Sequence, residues 1–155
     1  MTLGELYVMY ASGALNVEVS EDGTSGTMGG VPITDEQAKM ICSKLGWKEY
    51  VLSPFKIIDK TRKFISALSK TPLIKESEEG YLNKVDITFQ NKHASTYGKT
   101  FDRIVIGFPK KSLTVIYNME HTGDKYVVYE TKGNSIPISK NRNLKGVAEF
   151  ISNTI

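Results

Sequence analysis

The sequence predicts a two-layer α+β domain, an antiparallel sheet of about five strands with amphipathic helices packed on one face. Three observations predict it. Capped segments with apolar residues every three or four positions occupy most of the first 72 residues and the C-terminus, whereas alternating apolar and polar residues fill 85–138. After residue 80 the strand-like segments follow one another with no helix between them, as in an antiparallel sheet whose strand order the sequence leaves open. No internal repeat or low-complexity linker divides the chain, so residues 1–155 are expected to form a single domain.

Each element has a local reason. Thr2 and Glu5 have capping-box spacing, which opens a helix running to about Ser12, with Gly13 as its left-handed exit. Leu3, Leu6, Tyr7 and Tyr10 share one face of it. Residues Leu15 to Ser20 alternate as a strand, and Glu21-Asp22-Gly23 turns the chain. Thr34 caps a helix over 35–45 with Gln37 behind it. Ala38, Ile41, Cys42 and Leu45 form its apolar stripe, Gly46 ends it, and Trp47 is placed to fold back on its last turn. A short strand is expected around Glu49 to Leu52. Ser53-Pro54 then caps and opens a helix running to about Ser69, which Thr71-Pro72 stops. Strands are expected at 85–90, 104–108, 113–119 and 126–130, with His121 to Asp124 as a hairpin loop. Ser135 to Ile138 reads as an edge strand because Pro137 cannot donate to an interior ladder. A final helix starts near Asn143, with Leu144, Val147, Ala148 and Ile151 on one face.

The segment Gly23 to Gly30, with four glycines in eight residues, invites comparison with a phosphate-binding loop. Such a loop must lead directly into a helix whose first turn carries no negative charge. Here Val31 to Thr34 intervene, Asp35 and Glu36 occupy the first turn, and no P-loop lysine follows. A mobile hairpin or bulge loop is the expectation instead.

Composition narrows the function classes. The 40% hydrophobic and 24% charged fractions are those of a globular chain, which excludes disordered and fibrous classes. No apolar run is long enough to span a bilayer, and the N-terminus lacks the basic region of a signal peptide, so a cytoplasmic protein without a membrane partner is expected. A single cysteine excludes an internal disulfide and suits a reducing compartment. Cys42 belongs to an apolar stripe, which makes it a small buried hydrophobe before it is a nucleophile. With only two histidines, His93 and His121, and one cysteine, a zinc site would need all three to meet in space or carboxylates to be recruited, and no metal or cofactor is expected.

The most informative functional feature is the helix over 54–69. Ile57, Ile58, Phe64, Ile65 and Leu68 supply its buried stripe, while Lys56, Lys60, Lys63 and Lys70 stack on one exposed side and Arg62 adds a charge off that line. Asp59 is its only acid. Lys110-Lys111 and Lys140, Arg142 and Lys145 could extend the patch if the fold gathers them. The expectation is a non-catalytic binding module. It would be a small intracellular regulator or inhibitor, of a size that suits phage or plasmid accessory proteins, meeting an acidic protein surface through this face. Direct nucleic-acid binding is the alternative, with Tyr97 and Lys99 assisting by stacking and charge. A small hydrolase or transferase using His93 or His121, with Ser95 and Asp124 or Asp102, is a third, although no GxSxG or HExxH motif supports it. The oligomeric state is left open, since an edge near Ile136 and Ile138 could pair with another chain.

Overall fold

The computed structural model describes residues 1–155 apart from 49, 51, 95–98, 118–125, 133–136, 142 and 155, with the backbone alone described at 92–94, 99–101 and 117. Helix α1 (Leu3–Ala11) leads to a small antiparallel sheet, β1 (Glu18–Val19), β2 (Gly26–Met28) and β3 (Val31–Pro32). Helices α2 (Asp35–Lys44), α3 (Pro54–Ser69) and the single turn α4 (Pro72–Lys75) follow, then a 3₁₀ turn at Tyr81–Lys84. The main sheet is a meander in sequence order, β4 (Asp86–Ala94), β5 (Lys99–Gly107), β6 (Ser112–Tyr117), β7 (Tyr126–Glu130) and β8 (Ser139–Asn141), every pair antiparallel. Helix α5 (Leu144–Asn153) closes the fold. The α+β class and the five-stranded antiparallel sheet with helices on one face are as the sequence predicts.

The helices begin where their caps say. Thr2 and Thr34 each accept from the third backbone N–H of their helix, and Glu5 and Gln37 return the bond, so both capping boxes are complete. Ser53 caps α3 with Pro54 at its first position, and Asn143 caps α5 by accepting from Gly146 N–H. Helix α2 ends in a Schellman arrangement. Gly46, at φ +88°, donates to Ser43 C=O and Trp47 donates to Cys42 C=O, both at 3.0 Å. That bond turns Trp47 inward, where it stacks on Phe89 with ring centroids 5.3 Å apart.

Cross-strand registration aligns the core in rows on the helix-facing side. Ile87, Ile106 and Leu113 form one row and Phe89, Ile104, Val115 and Val128 the next, all buried. Helix α3 supplies the facing residues Phe55, Ile57, Ile58, Phe64, Ile65 and Leu68, joined by Val147 and Ile151 of α5. The N-terminus bonds to the outer edge of β4. Ile87 N–H donates to Met1 C=O at 2.9 Å and Leu3 N–H to Val85 C=O at 2.7 Å.

Several boundaries differ from the sequence expectation. The strand expected over 15–20 shrinks to Glu18–Val19, although Leu15 and Val17 are buried as the alternation required. Tyr50 and Leu52 are not in a strand, and residues 49 and 51 fall outside the described set. Pro72 does more than stop α3, because it opens α4 at a position where its missing N–H costs nothing. The edge strand is Ser139–Asn141, with Pro137 and Ile138 preceding it; residues 135 and 136 lie outside the described residues. Strand β4 runs to Ala94 because Asn91 to Ala94 pair with Lys99 to Asp102, a continuation their polar side chains conceal.

The glycine-rich segment is likewise built into a sheet. Gly23 turns the chain at φ +73°, and Gly29 and Gly30, at φ +58° and +81°, make the two-residue hairpin turn joining Met28 to Val31. Gly26 is glycine for packing. A Cβ there would stand 2.7 Å from Val17 Cγ1 and 2.9 Å from Phe55 Cδ1, so the hairpin lies directly against α3. Gly26→Val is therefore expected to destabilise the protein by about 1–3 kcal/mol through overpacking, read as a lowered urea midpoint at unchanged slope.

Candidate functional site

Lys56 and Lys63 on α3 and Lys70 at its C-cap recur every seven positions, nearly two full turns apart, and all three are exposed. The aliphatic stem of Lys56 lies over Gly23, and Ser53 Oγ donates to Gly23 C=O, so the first turn of α3 holds the β1–β2 turn in place. Within that turn the exposed Asp22 carboxylate accepts from Ser20 Oγ, Thr24 N–H and Thr24 Oγ1, which lower its pKa to about 2.

Lys60 departs from the exposed ridge. Its ammonium bonds to Asp102 of β5, whose side chain is only 3% exposed, while the lysine side chain is 25% exposed. Asp102 also accepts from Asn91 Nδ2 at 3.0 Å, and Asn91 and Asp102 are cross-strand partners. The helix-facing side of the sheet therefore ends in a polar row after two apolar ones, and α3 places Lys60 across it.

Asp59 links the remaining cations. It pairs with Arg62 at 2.7 Å and with Lys63 at 2.8 Å. Burial works to raise its pKa, but the hydrogen bonds and charges of Lys63 and Arg62 outweigh it and leave the value lowered. The Lys63 side chain remains 59% exposed, so its pairing is a surface one and leaves most of its charge available to solvent. Arg62 Nε is buried with no hydrogen-bond partner among the described residues.

Two grooves flank this face. Between α3 and the small sheet lies a cleft of about 840 Å³ whose lining mixes Lys56, Lys60 and Lys63 with Glu18, Glu21 and Asp59. Between α3 and α5 lies one of about 480 Å³, which Lys145 enters from the α5 side. The fold thus brings Lys145 to the ridge, whereas Lys110 and Lys111 line a separate hollow with Glu130 and Lys132. Lys140 is exposed on β8. Arg142 and Tyr97 lie outside the described residues, and Lys99 is placed only as the first backbone position of β5.

The catalytic candidates separate in the same way. Cys42 is fully buried, its thiol lies 3.4 Å from Pro54 C=O, and burial pushes its pKa up to about 11, so little thiolate exists at neutral pH. His93 is known only as a β4 backbone position opposite Thr100, and His121, Ser95 and Asp124 fall outside the described residues. Asp102 is engaged with Lys60 and Asn91. Among the described residues no group of three or more His, Cys, Asp or Glu is arranged to hold a metal, and no helix is long and apolar enough to cross a membrane.

Sequence reasoning missed the Lys60–Asp102 contact. A signal for it existed, because Asp102 shares the inward alternation of Ile104 and Ile106. No protein-family model, curated protein or solved structure matches this chain significantly.

Proposed function

We propose that this chain is a non-catalytic intracellular binding module, a small regulator or inhibitor that occupies an acidic surface of a protein partner through the exposed face of α3. The observation that carries it is the line of Lys56, Lys63 and Lys70, held rigid on a buried helix and widened by Lys145 of α5. A protein surface suits it better than a phosphate backbone. Carboxylates punctuate the basic face, with Asp59 on the ridge and Glu18 and Glu21 in the adjoining cleft, and discrete acids complement such a mixture where a continuous strip of phosphates would be repelled in places.

The test is capture from lysate of the native cell with the tagged chain, with and without nuclease, using wild type and a Lys56→Glu/Lys63→Glu/Lys70→Glu variant. Lys60 is left intact because it holds a buried carboxylate. The expected result is a protein retained through nuclease treatment and captured at least about tenfold less by the variant, whose circular dichroism is unchanged. Capture of nucleic acid alone moves the reading to direct nucleic-acid binding, and equal capture by the variant removes α3 from it.

A further inference from the structure

We infer that the α3–α5 groove is the seat of the partner, and that what it takes is an acidic amphipathic helix. The inference rests on the binding-module reading and assigns it a place and an occupant. The half-buried residues Ser66, Ala67, Leu144 and Ser152 form the floor, and the exposed Lys63, Lys70 and Lys145 stand along the rims.

Three features select the occupant. Charge comes first: Lys70 and Lys145 line the groove together with Arg62 and Lys63, which share Asp59, against one lining carboxylate, Glu149, so the excess is positive and the complementary surface is acidic. The walls come second. Both are helices whose backbone groups bond within themselves, so neither offers an edge to an extended peptide, and recognition falls to side chains, as when a helix lies in a groove. Size is the third. Ser66, Ala67 and Ser152 are small enough for close approach, Ala67 and Leu144 are apolar, and Arg62 to Lys70 spans about 12 Å of helix, the length of roughly two turns of a docked segment. Tyr10 Oη donates to Ser66 Oγ at 3.1 Å and Leu73 N–H to Ser152 Oγ at 3.1 Å, which fixes the floor from both sides.

The experiment measures binding of a short fluorescein-labelled peptide of Glu, Leu and Ala in a helical pattern, by anisotropy at fixed ionic strength. Its comparators are a scrambled peptide of identical composition and a labelled single-stranded oligonucleotide. The patterned peptide is expected to bind at least about tenfold more tightly than the scrambled one, and about tenfold more weakly to Lys70→Glu/Lys145→Glu. Lys70→Arg/Lys145→Arg should keep wild-type affinity, and both variants should melt like wild type. Lys110→Glu, in the separate hollow beside Lys111 and Lys132, should bind the peptide normally, and Lys56→Glu tests the other cleft. No binding of the patterned peptide, equal binding of the two peptides, preference for the oligonucleotide, or indifference to Lys70→Glu/Lys145→Glu each overturns the assignment. Loss of peptide in Lys56→Glu with retention in Lys70→Glu/Lys145→Glu moves the site to the other cleft, so the groove falls while the basic-face reading stands.

Discussion

Replacing Trp47 with alanine is expected to destabilise the protein by about 3–5 kcal/mol, a large part of the stability of a domain this size. Trp47 is 5% exposed, stacks on Phe89 of β4 at an interplanar angle of 14°, and donates from Nε1 to Thr61 Oγ1 on α3 at 3.1 Å. One side chain therefore joins the end of α2 to the central helix and to the sheet. Two controls separate its contributions. Trp47→Phe keeps an aromatic ring against Phe89 and loses the indole donor together with part of the volume, so it should cost about 1–2 kcal/mol less than alanine. Thr61→Val leaves the indole N–H buried without an acceptor, for about 1–3 kcal/mol. Urea unfolding followed by circular dichroism serves all three, because two of the variants lack the only tryptophan. A loss under about 1 kcal/mol in Trp47→Ala would mean that the indole is not wedged between these layers.

The position of Trp47 was legible in the sequence because a Gly–apolar pair after a helix is a local signal, complete within a few residues. The same holds for the caps at Thr2, Thr34 and Ser53, for the start of the last helix near Asn143, and for the alternation that marks the main sheet. What the sequence concealed was non-local. Strands β1, β2 and β3 are two or three residues long and owe their placement to Gly26 resting against Phe55, contacts that no window of local pattern contains. The candidate surface divides likewise. Lysines at helical spacing announced the α3 face, but whether each cation was available depended on residues far along the chain. Lys145 came to the ridge only because α5 packs beside α3. Lys60 was withdrawn from it by a carboxylate 42 positions away.

That withdrawal supplies the second large effect. Lys60→Met is expected to cost about 3–5 kcal/mol, because it leaves the Asp102 carboxylate inside the protein with Asn91 as its remaining described partner. The reverse deletion should be milder. In Asp102→Asn the amide retains its place beside Asn91, and Lys60, already a quarter exposed in the cleft beside α3, can turn its ammonium to water, so a loss of about 1–2 kcal/mol is expected. Removing both charges, as Lys60→Met/Asp102→Leu, should recover most of what Lys60→Met loses, since an apolar pair of similar volume extends the rows that end at Phe89 and Ile104. Urea midpoints for wild type, Lys60→Met, Asp102→Leu and the double variant close the cycle, with Asp102→Asn measured beside it. A coupling near zero would mean that water reaches Asp102 and that the pair is a surface one. A strong coupling makes Lys60 a strut between helix and sheet, and then lost partner capture in any Lys60 variant reports a disturbed fold, whereas the same loss in Lys63 or Lys70 variants reports the binding face itself.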